Sequence, residues 1–275
     1  MVSQVIATFM NYLAIPFSQK LKPFAWAMGM ALGLFAASVW LITSGFNQSW
    51  MLAIHASPVL PAWFWSLFNL GGDAWVVLLC LLLFEKQAGQ WTSWILKTWL
   101  VGALLAQVIK HAWPMPRPAN VLGLENLSVI DHTPLLTGSM PSGHALAAIS
   151  CALIVGYVLR ARGSGGWTLT LVGLLAGLVA WSRVAVGAHW PSDVMAGTGL
   201  AFVVVTLTHK WERFHSWNAW FQKKPGVVFL IILHILIAVH LAVPQSDNFG
   251  IQFIQFNLSV ISLLRAFLLI KKMMR

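Results

Sequence analysis

Ser182-Arg183-Val184-Ala185-Val186-Gly187-Ala188-His189-Trp190-Pro191-Ser192-Asp193 places a cation, a histidine and a carboxylate within twelve residues. Apolar runs at about 167–187 and 192–208 flank it, each close to the roughly 20 residues that cross a bilayer's hydrocarbon core. The stretch therefore reads as the polar turn between two membrane helices. An ionisable group inside a membrane costs roughly 2.5–3.5 kcal/mol on insertion scales, so such a cluster at a span boundary marks a functional site. Charged residues are only 9% of the chain, which makes the cluster conspicuous.

Working outward, 59% of the 275 residues are hydrophobic and mean hydropathy is +0.77, above the roughly 45–50% apolar content of a soluble domain. The expected fold is all-α, a polytopic helical membrane protein. Spans are expected at about 24–44, 61–84, 91–109, 142–159, 167–187, 192–208, 226–243 and 251–270. The first 23 residues carry Lys20 and Lys22 after their apolar part, the wrong order for a cleavable signal peptide, so they read as an interfacial helix. The organisation is then an N-terminal interfacial segment 1–23, a six-span core 24–209 and two further C-terminal spans in 210–275. A formal charge of +10 could suggest nucleic acid, but basic residues interleaved with apolar runs fit the positive-inside distribution better, and no nucleic-acid partner is expected. Cys80 and Cys151 have no metal-ligand spacing and read as packing residues.

With the N-terminus in the cytoplasm, all but three of the 17 Lys and Arg residues fall at or near the inner face. The C-terminus is then cytoplasmic as well. The exceptions are Lys110, Arg117 and Arg183, which the positive-inside rule leaves unexplained. All three occur in polar segments that the topology brings to one outer face. The first segment is Lys110-His111-Ala112-Trp113-Pro114-Met115-Pro116-Arg117-Pro118, at the start of a proline-rich loop over 110–141. The second is Met140-Pro141-Ser142-Gly143-His144, where Pro141 suits a first helical turn and the Ser142 and Gly143 amides are expected to be unpaired, an anion site at the helix's positive end. The third is the opening stretch. Three cations, a helix N-terminus, two histidines and a carboxylate suit a tetrahedral anion better than a metal ion.

The pattern Lys-x6-Arg-Pro, then Pro-Ser-Gly-His, then Ser-Arg-x5-His-x3-Asp resembles the three-part signature of the type 2 phosphatidic acid phosphatase superfamily, which includes membrane lipid phosphatases and is related to vanadium haloperoxidases. Every signature position matches. The resemblance implies a six-helix lipid phosphatase core, beyond which the last two spans lie. It implies that His189 is a nucleophile forming a phosphohistidine, that Asp193 holds its other ring nitrogen, and that His144 protonates the leaving oxygen and then activates water. Lys110, Arg117, Ser142, Gly143, Ser182 and Arg183 would bind the phosphate, with no metal and no cofactor.

The implied substrate is a lipid phosphate or diphosphate taken from membrane lipids, with the site on the periplasmic face of a bacterial inner membrane. Undecaprenyl diphosphate is the first choice. Phosphatidylglycerophosphate, phosphatidic acid and lipid A phosphates are alternatives, as is a phosphotransferase passing the same phosphohistidine to a second lipid. A non-enzymatic transporter or scaffold is disfavoured by the intact His144, His189 and Asp193. Oligomeric state is open. The other histidines, His55, His111, His132, His209, His215, His234 and His240, read as interfacial, Asp73 as a packing or hydrogen-bonding acid, and Glu125 and Asp131 as solvated loop acids. Ser182 could equally hydrogen-bond only within its own helix.

Overall fold

The computed structural model describes residues 24–56, 59–84, 91–131, 138–161 and 163–274. Segment 1–23, expected as an interfacial helix, and His132 lie outside the described residues. The helices in chain order are α1 (Phe24–Ser44), α2 (Phe46–Ala56), α3 (Ala62–Gly71), α4 (Ala74–Phe84), α5 (Thr92–Ala112), α6 (Pro118–Leu122), α7 (Gly143–Ala161), α8 (Gly166–Ala185), α9 (Pro191–Phe214), α10 (Asn218–Phe221), α11 (Lys224–Ala242) and α12 (Phe249–Met273). Seven of these are long and apolar enough to cross a membrane, and α3 with α4 can form an eighth, broken span. The chain is an all-α, multi-pass membrane protein, as expected. Large apolar side chains such as Phe229, Ile232, Leu236, Phe253, Phe256 and Phe267 face outward, where lipid gives them an apolar surrounding.

The expected continuous span over 61–84 is instead two helices bent by 61° at Gly71-Gly72-Asp73. Apolar content over 24 residues hides the break, but the local chemistry explains it. Asp73 Oδ1 accepts from the amides of Trp75 and Val76 at 2.8 and 3.1 Å, so the carboxylate caps the new helix start. Its expected hydrogen-bonding role is thereby specific. Helix α2 was not foreseen, because eleven residues of mixed polarity are too few to span. It tucks against the start of α9 instead: Asn47 exchanges two hydrogen bonds with Ser192, and Ser38 donates to the Ser192 carbonyl at 2.9 Å.

Helix α9 is the axis of the bundle, packing against α1, α7, α5 and α8. Small residues allow these approaches. A methyl group on Gly197 would collide with the Ser142 carbonyl, so glycine there lets α9 and the start of α7 touch at backbone distance. Helices α11 and α12 pack along one another, zipped by Ser259 Oγ donating to the Ala238 carbonyl and Ser262 Oγ to the His234 carbonyl, each at 2.8 Å. Such short polar side chains join helices where burying apolar surface offers no driving force.

Lys97, foreseen near the inner end of a span, is fully buried. Its ammonium lies 2.7 Å from Glu212 of α9 and over the rings of Trp211 and Trp217 at 4.8 and 4.5 Å. Ser93 donates to the same carboxylate and Asn218 to its other oxygen. The ion pair ties α5 to α9 at the end of the bundle away from His189.

Candidate active site

Chain alternation brings the end of α5, the start of α7, the end of α8 and the start of α9 to one end of the bundle, so all three polar segments converge. The end of α8 sets the position of His189. The helix terminates through Gly187 at φ +79°, the left-handed conformation that glycine adopts without strain. The amides of Ala188 and His189 both turn back to the Arg183 carbonyl at 3.1 Å. The chain then reverses into α9, with Trp190 preceding Pro191 at its first position.

Asp193 in that first turn organises the neighbourhood. Its Oδ2 accepts from the Trp190 amide at 2.9 Å, from Ser139 Oγ, and from Nδ1 of His189 at 3.3 Å. The expected His189–Asp193 contact is present, although His189 stands just before the helix rather than on it. Because Nδ1 is engaged by Asp193, Nε2 is the ring nitrogen that this contact leaves available. Burial, together with the positive charges of Arg183, Arg117 and Lys110, holds the imidazole pKa well below 6.5, against a smaller upward pull from the Ser139 backbone. His189 is therefore neutral at physiological pH, and its free nitrogen is a lone pair.

The cations surround it. Arg117 NH1 donates to the Ala188 carbonyl at 2.9 Å, and burial lowers the pKa of its guanidinium. Lys110 Nζ donates to the carbonyls of Gly138 and Ser139. Arg183 NH1 donates to Asn69 Oδ1. Among the described residues, the Nε atoms of both Arg117 and Arg183 are buried without a hydrogen-bond partner. A buried charged donor left unpaired is costly, and an anion with several oxygens is a ligand that can satisfy both guanidinium N–H groups.

Two expectations need correction. Helix α7 starts at Gly143, so Pro141 stands before it rather than in its first turn, and the Ser142 amide is not open to an anion. It donates to the Asp193 carbonyl at 3.0 Å, which binds the second and third segments together. The Ser142 hydroxyl accepts the Ala145 amide at 3.4 Å, leaving the N-terminal Gly143 and His144 as the part of that helix end that borders open space. Ser182 Oγ donates to the Val179 carbonyl at 2.7 Å, so its hydrogen stays within its own helix. His111 does likewise with the Gln107 carbonyl.

His144 and Gly143 line a cavity of about 290 Å³ with Lys110. The cavity descends along α5 from Lys110 through Gln107, Ala103 and Thr98 to Ile95, a length of about 22 Å at helical rise. Its lower walls are apolar, with Leu78 and Leu81 from α4 and Leu146, Ala147 and Ile154 from α7.

Sequence reading missed the residues that brace the site. Asn69 bonds Arg183 through its oxygen and donates to Asp131 Oδ2 at 3.0 Å. Asp131 is no solvated loop acid: its Oδ1 accepts from Ser66 and Ser246 at 2.9 and 2.6 Å, so four separate segments meet on it and on Asn69. His55 is not merely interfacial either. It bridges the Val184 carbonyl and the Ser128 amide at 2.9 and 3.1 Å, fastening the outer loop to the end of α8. A polar residue inside a span, as Asn69 is, is itself the signal that could have found this network.

Residues 91–217 match the PAP2 superfamily profile. The undecaprenyl-diphosphatase of Sulfolobus acidocaldarius is 32% identical over 123 residues, 45% of this chain and 56% of that protein. YbjG of Escherichia coli strain K12 is 29% identical over 127 residues, 42% of this chain and 59% of its own length. The chain thus spans little more than half the length of the curated relatives it matches. In fold it is similar to the crystal structure of the first transmembrane PAP2 type phosphatidylglycerolphosphate phosphatase from Bacillus subtilis, with a TM-score of 0.50, 19% identity, and coverage of 70% of this chain and 98% of the other. The segment that matches the PAP2 superfamily profile, residues 91–217, contains every one of the three motifs.

Proposed function

We propose that the chain is an integral-membrane lipid phosphatase that removes the terminal phosphate of a lipid diphosphate, undecaprenyl diphosphate above all, through a phosphohistidine at His189. The observation that carries this reading is the neutral His189, held at Nδ1 by Asp193 and flanked by two buried arginines whose Nε atoms lack partners. Phosphoryl transfer needs charge neutralisation on the non-bridging oxygens, an aligned nucleophile and an acid for the leaving oxygen. In the first step His189 Nε2 bonds to the terminal phosphorus while the bond to the bridging oxygen breaks. That oxygen takes the electron pair and a proton from His144. In the second step His144 removes a proton from water, whose oxygen displaces the histidine and releases inorganic phosphate. Lys110, Arg117 and Arg183, with the Gly143 backbone, neutralise the phosphate without a metal ion, and Ser142 and Ser182 shape the surrounding backbone.

The apolar depth of the cavity below His144 supports a lipid substrate, whose chain can stay among helices while its headgroup reaches the site. The name of the Sulfolobus relative supports the diphosphate. The positive-inside bias supports a site at the periplasmic face of a bacterial inner membrane with both termini in the cytoplasm.

Purified protein incubated with undecaprenyl diphosphate is expected to release phosphate at the same rate with and without EDTA. Loss of activity on chelation would overturn the metal-free mechanism, and release that appears only after lipid A is added would replace hydrolysis by transfer. Asn69→Leu, which removes the side chain bracing Arg183, is expected to raise KM by about 10–100-fold, the scale of one charge-assisted hydrogen bond, with a smaller change in kcat. An unchanged KM would show that Arg183 needs no such support.

A further inference from the structure

One wall of the cavity beside His144 comes from outside residues 91–217. Helix α11 brings His240 to it, and the break between α3 and α4 brings Asp73. His240 Nε2 lies 3.2 Å from Asp73 Oδ2 and 2.7 Å from the side-chain amide of Gln245, while the ring rests 5.6 Å from that of Trp75. Asp73 is fixed in turn, because its other oxygen caps α4. Gly72, the preceding residue, is pressed against His144, where a methyl group would meet the imidazole at 3.0 Å. Asp73 is therefore the chain neighbour of a residue packed on His144, and both members of the pair line the cavity that His144 and Lys110 also line. Among the described residues, His240 Nδ1 has no protein partner.

On the reading above, on which this inference rests, His144 gives its proton to the bridging oxygen. The leaving group must then depart past His144, into this cavity. For a lipid diphosphate that leaving group carries a phosphate of its own, and for a lipid monophosphate it is only an alcohol.

We infer that Asp73 and His240 form the subsite for the phosphate that remains on the lipid. In this bound form the ring is an imidazolium: Nε2–H donates to Asp73 Oδ2, Nδ1–H donates to a phosphate oxygen, the Gln245 side chain lies against the Nε2 edge, and Lys110 adds positive charge from the same cavity. The helix pair α11–α12 then has a role in choosing the substrate: it makes the site favour diphosphates over monophosphates.

The test uses the full chain in detergent and measures kcat/KM for undecaprenyl diphosphate and undecaprenyl phosphate side by side. His240→Ala is expected to lower the value for the diphosphate by about 10–100-fold, the scale of one lost hydrogen bond to a charged group, and to leave the monophosphate within about twofold. His240→Gln keeps an N–H donor and is expected to recover part of the loss. An equal fall on both substrates, with or without a lowered Tm, would show that His240 only supports the fold and would overturn the inference. No change on either substrate would overturn it too, because His240 would then touch neither. The parent reading fails separately, if His189→Ala keeps its activity.

Discussion

A His189→Ala protein is expected to release phosphate from undecaprenyl diphosphate at least ~10⁴-fold more slowly than the parent, the scale on which loss of a catalytic nucleophile is felt. Its fold should be intact. His189 contacts Asp193, but the backbone at this corner is held by Gly187, by the Arg183 carbonyl and by the Trp190 amide on Asp193, none of which needs the imidazole. The two proteins should therefore share a Tm and differ in phosphate release and in the acid-labile, base-stable label that a phosphohistidine retains after quenching. Residual activity near the parent level would remove His189 from the chemistry.

The electrostatics of the same residue set the pH dependence. Its imidazole is held well below 6.5 by burial and by Arg183, Arg117 and Lys110, and in the proposed reaction the neutral form attacks. The acid limb of kcat/KM, which reports the free enzyme, is then expected below pH 6.5. Arg117→Gln removes one of the charges that oppose the imidazolium, so the limb should move to higher pH as total activity falls. A limb that stays in place or moves down would contradict that electrostatic origin.

Lys97→Met is expected to cost about 3–5 kcal/mol, the penalty for leaving one member of a buried ion pair without its partner. Glu212, 3% exposed, would lose its cationic partner and keep the hydrogen bonds donated by Ser93 and Asn218. The cost falls on the joint between α5 and α9, which carry Lys110 and Asp193 at their far ends, so reduced Tm should accompany reduced activity. The double variant Lys97→Met/Glu212→Leu removes both charges and is expected to regain most of the stability. If the double variant is no more stable than the single, the loss arises from packing over Trp211 and Trp217, not from an isolated charge.

These residues also show how unevenly the molecule could be read from its sequence. The spans over α1, α5, α7, α8, α9, α11 and α12 were legible because apolar length alone decides whether a helix crosses a bilayer. The break at Gly71-Gly72-Asp73 was not, because an average over 24 residues outweighs one aspartate, while the cap that makes the break depends on two amides next to it. The Ser142 amide was misjudged for a related reason: helix geometry says which amides lack partners inside the helix, and not that the Asp193 carbonyl of another helix arrives to accept one.

By itself the sequence determined that this is a helical membrane protein, that three polar segments lie at one face, and that His144, His189 and Asp193 belong to a motif, since hydropathy, charge bias and spacing are properties of local chain. Only the tertiary structure decided what surrounds them. Asn69, Asp131 and Ser246 meet at Arg183's support, and Asp73 meets His240 across 167 positions of sequence, because contacts between helices depend on their packing order and rotation, which no single segment encodes.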